Sequence, residues 1–76
     1  MSAALLSPRE REVLDLASSG LTNNQIALRM HLTIHAVKFH LASTYRKLGV
    51  ANRTEAAFVY RESAYAAERG ADVAAP

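Results

Sequence analysis

The 76-residue chain reads as an all-α domain, a compact set of four helices containing a helix–turn–helix. Three observations lead there. Each candidate helix opens on a residue that caps helices, and apolar residues then recur at the spacing of one helical face. No segment alternates apolar and polar residues as a half-buried strand does. Charge is also segregated: no acidic residue lies between Asp15 and Glu55, whereas Arg29, Lys38, Arg46, Lys47 and Arg53 lie there with His31, His35 and His40.

The first helix is expected to open at Ser7-Pro8-Arg9-Glu10. Ser7 is a natural N-cap, Pro8 sits where its missing N–H costs nothing, and Glu10 completes a capping box. Val13, Leu14 and Ala17 form its apolar stripe, and Gly20 supplies the left-handed position after its end. The second helix opens at Thr22 with Gln25 at capping-box spacing, and turns Ile26, Ala27 and Met30 inward. The turn is His31-Leu32, where glycine is common; here His31 is the residue expected to take a positive φ.

Thr33 caps a third helix over about residues 34–48, closed by Gly49. With about 100° per residue, Val37, Leu41, Thr44 and Leu48 share its core face. His35, Lys38, Phe39, Ala42 and Arg46 fall on the opposite face. Asn52 and Glu55 mark the start of a fourth helix, again at capping-box spacing, carrying Ala56, Ala57, Phe58, Val59 and Tyr60 and extending to about Tyr65. The domain is expected to cover residues 1–66, with residues 67–76 a flexible tail.

Composition narrows the function classes. A chain this short buries only about 60% of its unfolded surface, so the core is thin. Cysteine is absent, which excludes a disulfide framework and thiolate metal sites and suits a reducing, cytoplasmic setting. No apolar run approaches the ~20 residues of a membrane span, and the N-terminus lacks the basic start of a signal peptide. Three histidines within ten residues raise the question of zinc, but His31 is in a turn and His35 and His40 lie on different helical faces, so no metal or other cofactor is expected. No Ser–His–Asp or paired-carboxylate arrangement is present, and the protein is not expected to be an enzyme. Glu10 is expected to act as a cap and as the ion-pair partner of a cation from helix three or four.

A basic segment folded as two short helices joined by a tight turn suits duplex DNA, which attracts cations and repels acids. The outer face of the third helix offers Lys38 to a guanine edge or a phosphate, and Ala42 permits close approach. Phe39 points almost directly away from the core, and a thymine methyl would give that ring an apolar partner. His35, Lys38, Phe39 and Ala42 are therefore the expected base-facing set. Arg46, Lys47 and Arg53 are expected at phosphates. Thr22, Asn23 and Thr33, at the starts of helices two and three, offer side-chain and backbone donors for phosphates as well. His40 lies about 60° from Val37, where both a phosphate contact and a half-buried structural role are open.

The chain resembles the DNA-binding domain of the LuxR-type (GerE-like) helix–turn–helix family, found at the C-terminus of quorum-sensing regulators and many response regulators. The resemblance rests on Leu6-Ser7-Pro8-Arg9-Glu10-Arg11-Glu12-Val13-Leu14, Gly20-Leu21-Thr22-Asn23, Ile26-Ala27, Val37-Lys38, His40, Lys47-Leu48-Gly49-Val50 and Asn52-Arg53-Thr54-Glu55-Ala56. It implies a four-helix domain, a third helix in the major groove with base contacts at Lys38, Phe39 and Ala42, and a homodimer through helix four on two-fold operators. Ala36 stands where the family usually has Thr, and Ala42 where a polar or charged residue is common, so two side-chain contacts are missing.

Helix four cannot pack all its large residues on one stripe. Ala56 and Val59 are expected to face the core, while Ala57, Phe58, Tyr60 and Arg61 are expected at a dimer surface rimmed by Arg53, Arg61 and Glu62. That patch is short and should bury less than the ~1,200 Å² of a stable interface, leaving the free chain largely monomeric until DNA pairs it. Duplex DNA, a second copy and RNA polymerase are the expected partners. The competing readings are a helical protein-interaction module anchored by Phe39 and Tyr60, and a promoter-reading helix–turn–helix of the sigma-factor kind.

Overall fold

The computed structural model describes residues 5–74, with side chains through residue 63. Four α-helices follow one another: α1 (Pro8–Ser18), α2 (Asn23–Met30), α3 (Ile34–Leu48) and α4 (Arg53–Ala74). The described residues contain no strand.

The starts of the helices are local chemistry. Ser7 Oγ accepts from Glu10 N–H at 3.1 Å, and Glu10 Oε1 accepts from Ser7 N–H at 2.8 Å, closing the first box. Thr22 and Gln25 make the same pair of bonds at 3.2 and 2.9 Å. Thr33 Oγ1 accepts from Ala36 N–H at 3.0 Å. Asn52 Oδ1 accepts from Glu55 N–H at 2.9 Å, but the return bond differs from the expected box: the Glu55 carboxylate reaches one residue further back, to Ala51 N–H at 2.8 Å.

The ends share one device. Leu21, Leu32 and Val50 each return an N–H to the carbonyl five residues earlier, at 3.2, 2.9 and 3.0 Å. Such a closure needs a left-handed residue just before it. Gly20 (φ 95°) and Gly49 (φ 70°) supply two of these. His31 supplies the third at φ 57°, as its place in the turn predicts.

The fourth helix outruns the sequence reading. Its backbone stays helical past Tyr65 and Gly70 to Ala74, so most of the stretch expected as a tail is helix. A glycine within a helix costs only about 1 kcal/mol, and the alanine-rich flanks of Gly70 favour helix. Residues 75–76 of the expected tail lie outside the described residues.

Helix α1 is the shared wall of two apolar clusters. Val13 and Ala17 join Ile26, Ala27, Met30, Val37 and Leu41 on the α2–α3 side. Leu14, next in sequence, joins Leu6, Leu48 and Ala56 on the α4 side. Tyr45 packs against both. The expected core residues of α1, α2 and α3 are all buried, and Ala56 and Val59 hold α4 to the second cluster. With one face of α3 committed to the core, its other face is presented outward.

Candidate nucleic-acid interface

His35, Lys38, Phe39, Ala42 and Arg46 are all exposed, on the face of α3 opposite buried Val37, Leu41, Thr44 and Leu48. Phe39 is 64% exposed. A ring so placed gains nothing from the domain's own core and is available to a partner. The face carries two cations and no acid, because the whole helix lacks acidic residues.

The N-terminal end of α2 adds a shallow, open cleft lined by Thr22, Asn23, Asn24, Ile34 and Arg53. The Thr22 and Thr33 hydroxyls are engaged only as acceptors, in caps, so each keeps its O–H to donate. Arg53 spans the cleft: Nη1 donates to the Leu21 carbonyl at 2.5 Å, and Nη2 to Asn23 Oδ1. Its guanidinium thus ties the start of α4 to the start of α2. Its first task is structural, with a charge left beside the Thr22 and Asn23 donors.

Two more of the expected site residues have partners within the domain. Lys47, expected at a phosphate, donates from Nζ to Glu10 Oε1 at 2.8 Å, and its side chain is 42% exposed. The ammonium therefore first neutralises a buried carboxylate, the ion pair expected for Glu10. Tyr60, expected at a dimer surface, packs against the second core cluster and donates from its hydroxyl to Asp15 Oδ1 at 2.9 Å. This bond forms because α1 lies alongside α4 and brings Asp15 within reach. Burial, with the hydrogen bond to Asp15 behind it, pushes the Tyr60 pKa up. Ala57 is half-buried, while Phe58 and Arg61 are exposed.

Sequence reasoning missed Ser43, which donates from Oγ to Glu10 Oε2 at 2.5 Å. Ser43 and Lys47 are four apart and so share a side of α3, but nothing in the sequence assigns that side to Glu10. Burial raises the pKa of this carboxyl, and the bonds from Lys47, Ser43 and the Ser7 N–H outweigh it, bringing the value from 4.5 down to about 2. His40 is half-buried and meets the Phe39 ring at 5.8 Å between centroids, with the planes 70° apart. Among the described residues, no three His, Asp or Glu side chains gather as a metal site, and no helix is long and apolar enough to cross a membrane.

Known proteins match this architecture. The family model for bacterial regulatory proteins of the luxR family matches residues 4–60. The probable transcriptional regulatory protein SgaR of Hyphomicrobium methylovorum is 49% identical over 51 residues, 67% of this chain and 24% of that protein. The putative HTH-type transcriptional regulator YhjB of Escherichia coli K12 is 43% identical over 54 residues, 71% of this chain and 27% of that protein. The chain thus spans about a quarter of the length of these curated relatives. Among solved structures, the DNA-binding domain of the response regulator ComA, in complex with the anti-activator RapF, superposes with a TM-score of 0.73 at 37% identity, covering 75% of this chain and 98% of that one.

Proposed function

This chain belongs to the luxR family of bacterial regulatory proteins, and from that membership we propose that it is a sequence-specific duplex-DNA-binding module of a cytoplasmic transcription regulator that works with RNA polymerase. Its relatives are described as transcription regulators, not as enzymes. In this reading α3 enters the major groove. Lys38 and Phe39 meet base edges, with His35 and Ala42 beside them, and Arg46 meets a phosphate. Thr22, Asn23 and Thr33 hold the flanking backbone, and Arg53 lends its charge to that cleft. Two copies pair through the outer face of α4, around Phe58, Ala57 and Arg61, on a two-fold site.

One observation carries the reading: the face of α3 turned away from the core exposes Lys38, Arg46 and a large ring, Phe39, in a stretch free of acids. A protein-interaction module would have no use for that exclusion of carboxylates. Phosphate neutralisation releases counterions, so log K should fall against log salt by about 0.9 for each phosphate held on B-DNA. The test is a salt titration of duplex binding by the parent chain and by Arg46→Ala. A steep slope, made shallower by about one phosphate in the variant, supports the reading. A slope near zero for the parent removes it.

A further inference from the structure

Successive residues on a helix point about 100° apart, and small side chains there do not meet. Phe39 and His40 do meet, because both are rings. Their centroids lie 5.8 Å apart with planes at 70°, inside the favoured range for an edge-to-face pair. The two rings differ in freedom. Phe39 is 64% exposed, and its neighbours one turn away are His35, Ala36, Ala42 and Ser43, three of them small. His40 is half-buried on the flank of the core face. Its backbone is held from below, where fully buried Thr44 donates from Oγ1 to the His40 carbonyl at 2.7 Å.

An exposed phenyl ring with small neighbours spreads over its rotamers, and that freedom is lost when it must meet a single base. A ring already held in one orientation loses less. We propose that His40 is a positioning residue for Phe39: its half-buried ring holds the exposed phenyl ring edge-on and presets its apolar contact with a thymine methyl. The inference rests on the DNA-reading function proposed above. It assigns the work to the ring of His40 rather than to its N–H groups. Its loss therefore changes discrimination at one base, whereas loss of a phosphate contact weakens binding to every sequence alike.

The experiment uses the 76-residue chain and a duplex selected with it from a randomised pool. Binding is measured to that duplex, to its single-base variants, and to a copy with each thymine in turn replaced by uracil. Phe39→Ala should abolish the uracil penalty at one position of each half-site. His40→Ala should reduce the same penalty by roughly two- to tenfold, the size of one immobilised side chain, with the salt slope unchanged. His40→Phe, which keeps a ring and removes the N–H groups, should restore it. Circular dichroism and thermal melts of each variant separate these effects from unfolding. A His40→Ala protein that keeps the penalty, or that binds all duplexes more weakly with a salt slope shallower by about one phosphate, overturns the proposal. So does a His40→Phe protein that behaves as His40→Ala. Failure of the parent to bind any duplex in a salt-dependent way overturns the DNA-reading function itself.

Discussion

Glu10 and Lys47 are joined at 2.8 Å across 37 residues of sequence, pinning the first turn of α1 to the last turn of α3. The glutamate is only 5% exposed, yet its oxygens also accept from Ser7 N–H and Ser43 Oγ. One side chain thus completes a helix cap and fixes α3 against α1.

The two partners are not equivalent. Removing the carboxylate strips a cap, a hydroxyl bond and an ion pair at once, so Glu10→Ala should lower stability by about 2–3 kcal/mol. Lys47→Ala leaves Glu10 with two of its three donors, and the lysine is partly exposed, so it should cost only about 1 kcal/mol. Urea unfolding of both variants measures this. A lysine variant as damaging as the glutamate variant would show that the charge pair, not the cap, dominates.

Acid should dissolve the same network. The folded-state pKa of Glu10 is depressed from 4.5 to about 2, so its stabilisation is present above the unfolded value. It is lost as pH falls from about 4.5 towards 2, and amounts to on the order of 3 kcal/mol. Thermal melts from pH 6 to pH 2 should show this loss, and Glu10→Gln should show a much smaller one. Identical pH dependence in both proteins would place the acid-labile group elsewhere.

The left-handed residues make a graded set. His31 sits at φ 57° and tolerates it because its side chain is unbranched at Cβ. His31→Val should cost about 1–2 kcal/mol and His31→Asn less than about 0.5. Gly49→Ala should cost about 1 kcal/mol from backbone strain alone, since a Cβ added there meets nothing within 4 Å. Chemical denaturation ranks the three, and equal costs for His31→Val and His31→Asn would remove the strain argument.

The proposed pairing surface is tested at Phe58, 60% exposed on α4. Phe58→Glu leaves the core untouched and should leave binding to a single half-site intact, while cooperative binding to two half-sites is lost. Retained cooperativity, with the fold intact by circular dichroism, would move the dimer surface elsewhere.

What the sequence made legible was local or periodic. The caps at Ser7, Thr22 and Thr33 depend on residues three apart. The αL residue at His31 follows from its place in a turn where glycine is common, and the outward position of Phe39 follows from counting around a helix. What stayed hidden was pairing across distance. Glu10 with Ser43, Arg53 with Leu21 and Asn23, and Tyr60 with Asp15 are separated by 30 to 45 residues. Each depends on how helices pack against each other. The partners of Lys47 and Tyr60 stayed hidden for that reason: each meets an acid on α1. Helix α4, expected to about Tyr65, runs on to Ala74, and the single Gly70 within it is a weak breaker.

The central claim is that the outer face of α3 reads bases, and Lys38 tests it most directly. Duplexes selected from a randomised pool by the parent chain and by Lys38→Ala should share a motif except at one position of each half-site. There the variant's preference should relax, at a cost of about 1–3 kcal/mol on the parent's best duplex. The same motif with the same preference at every position for both proteins would contradict the account.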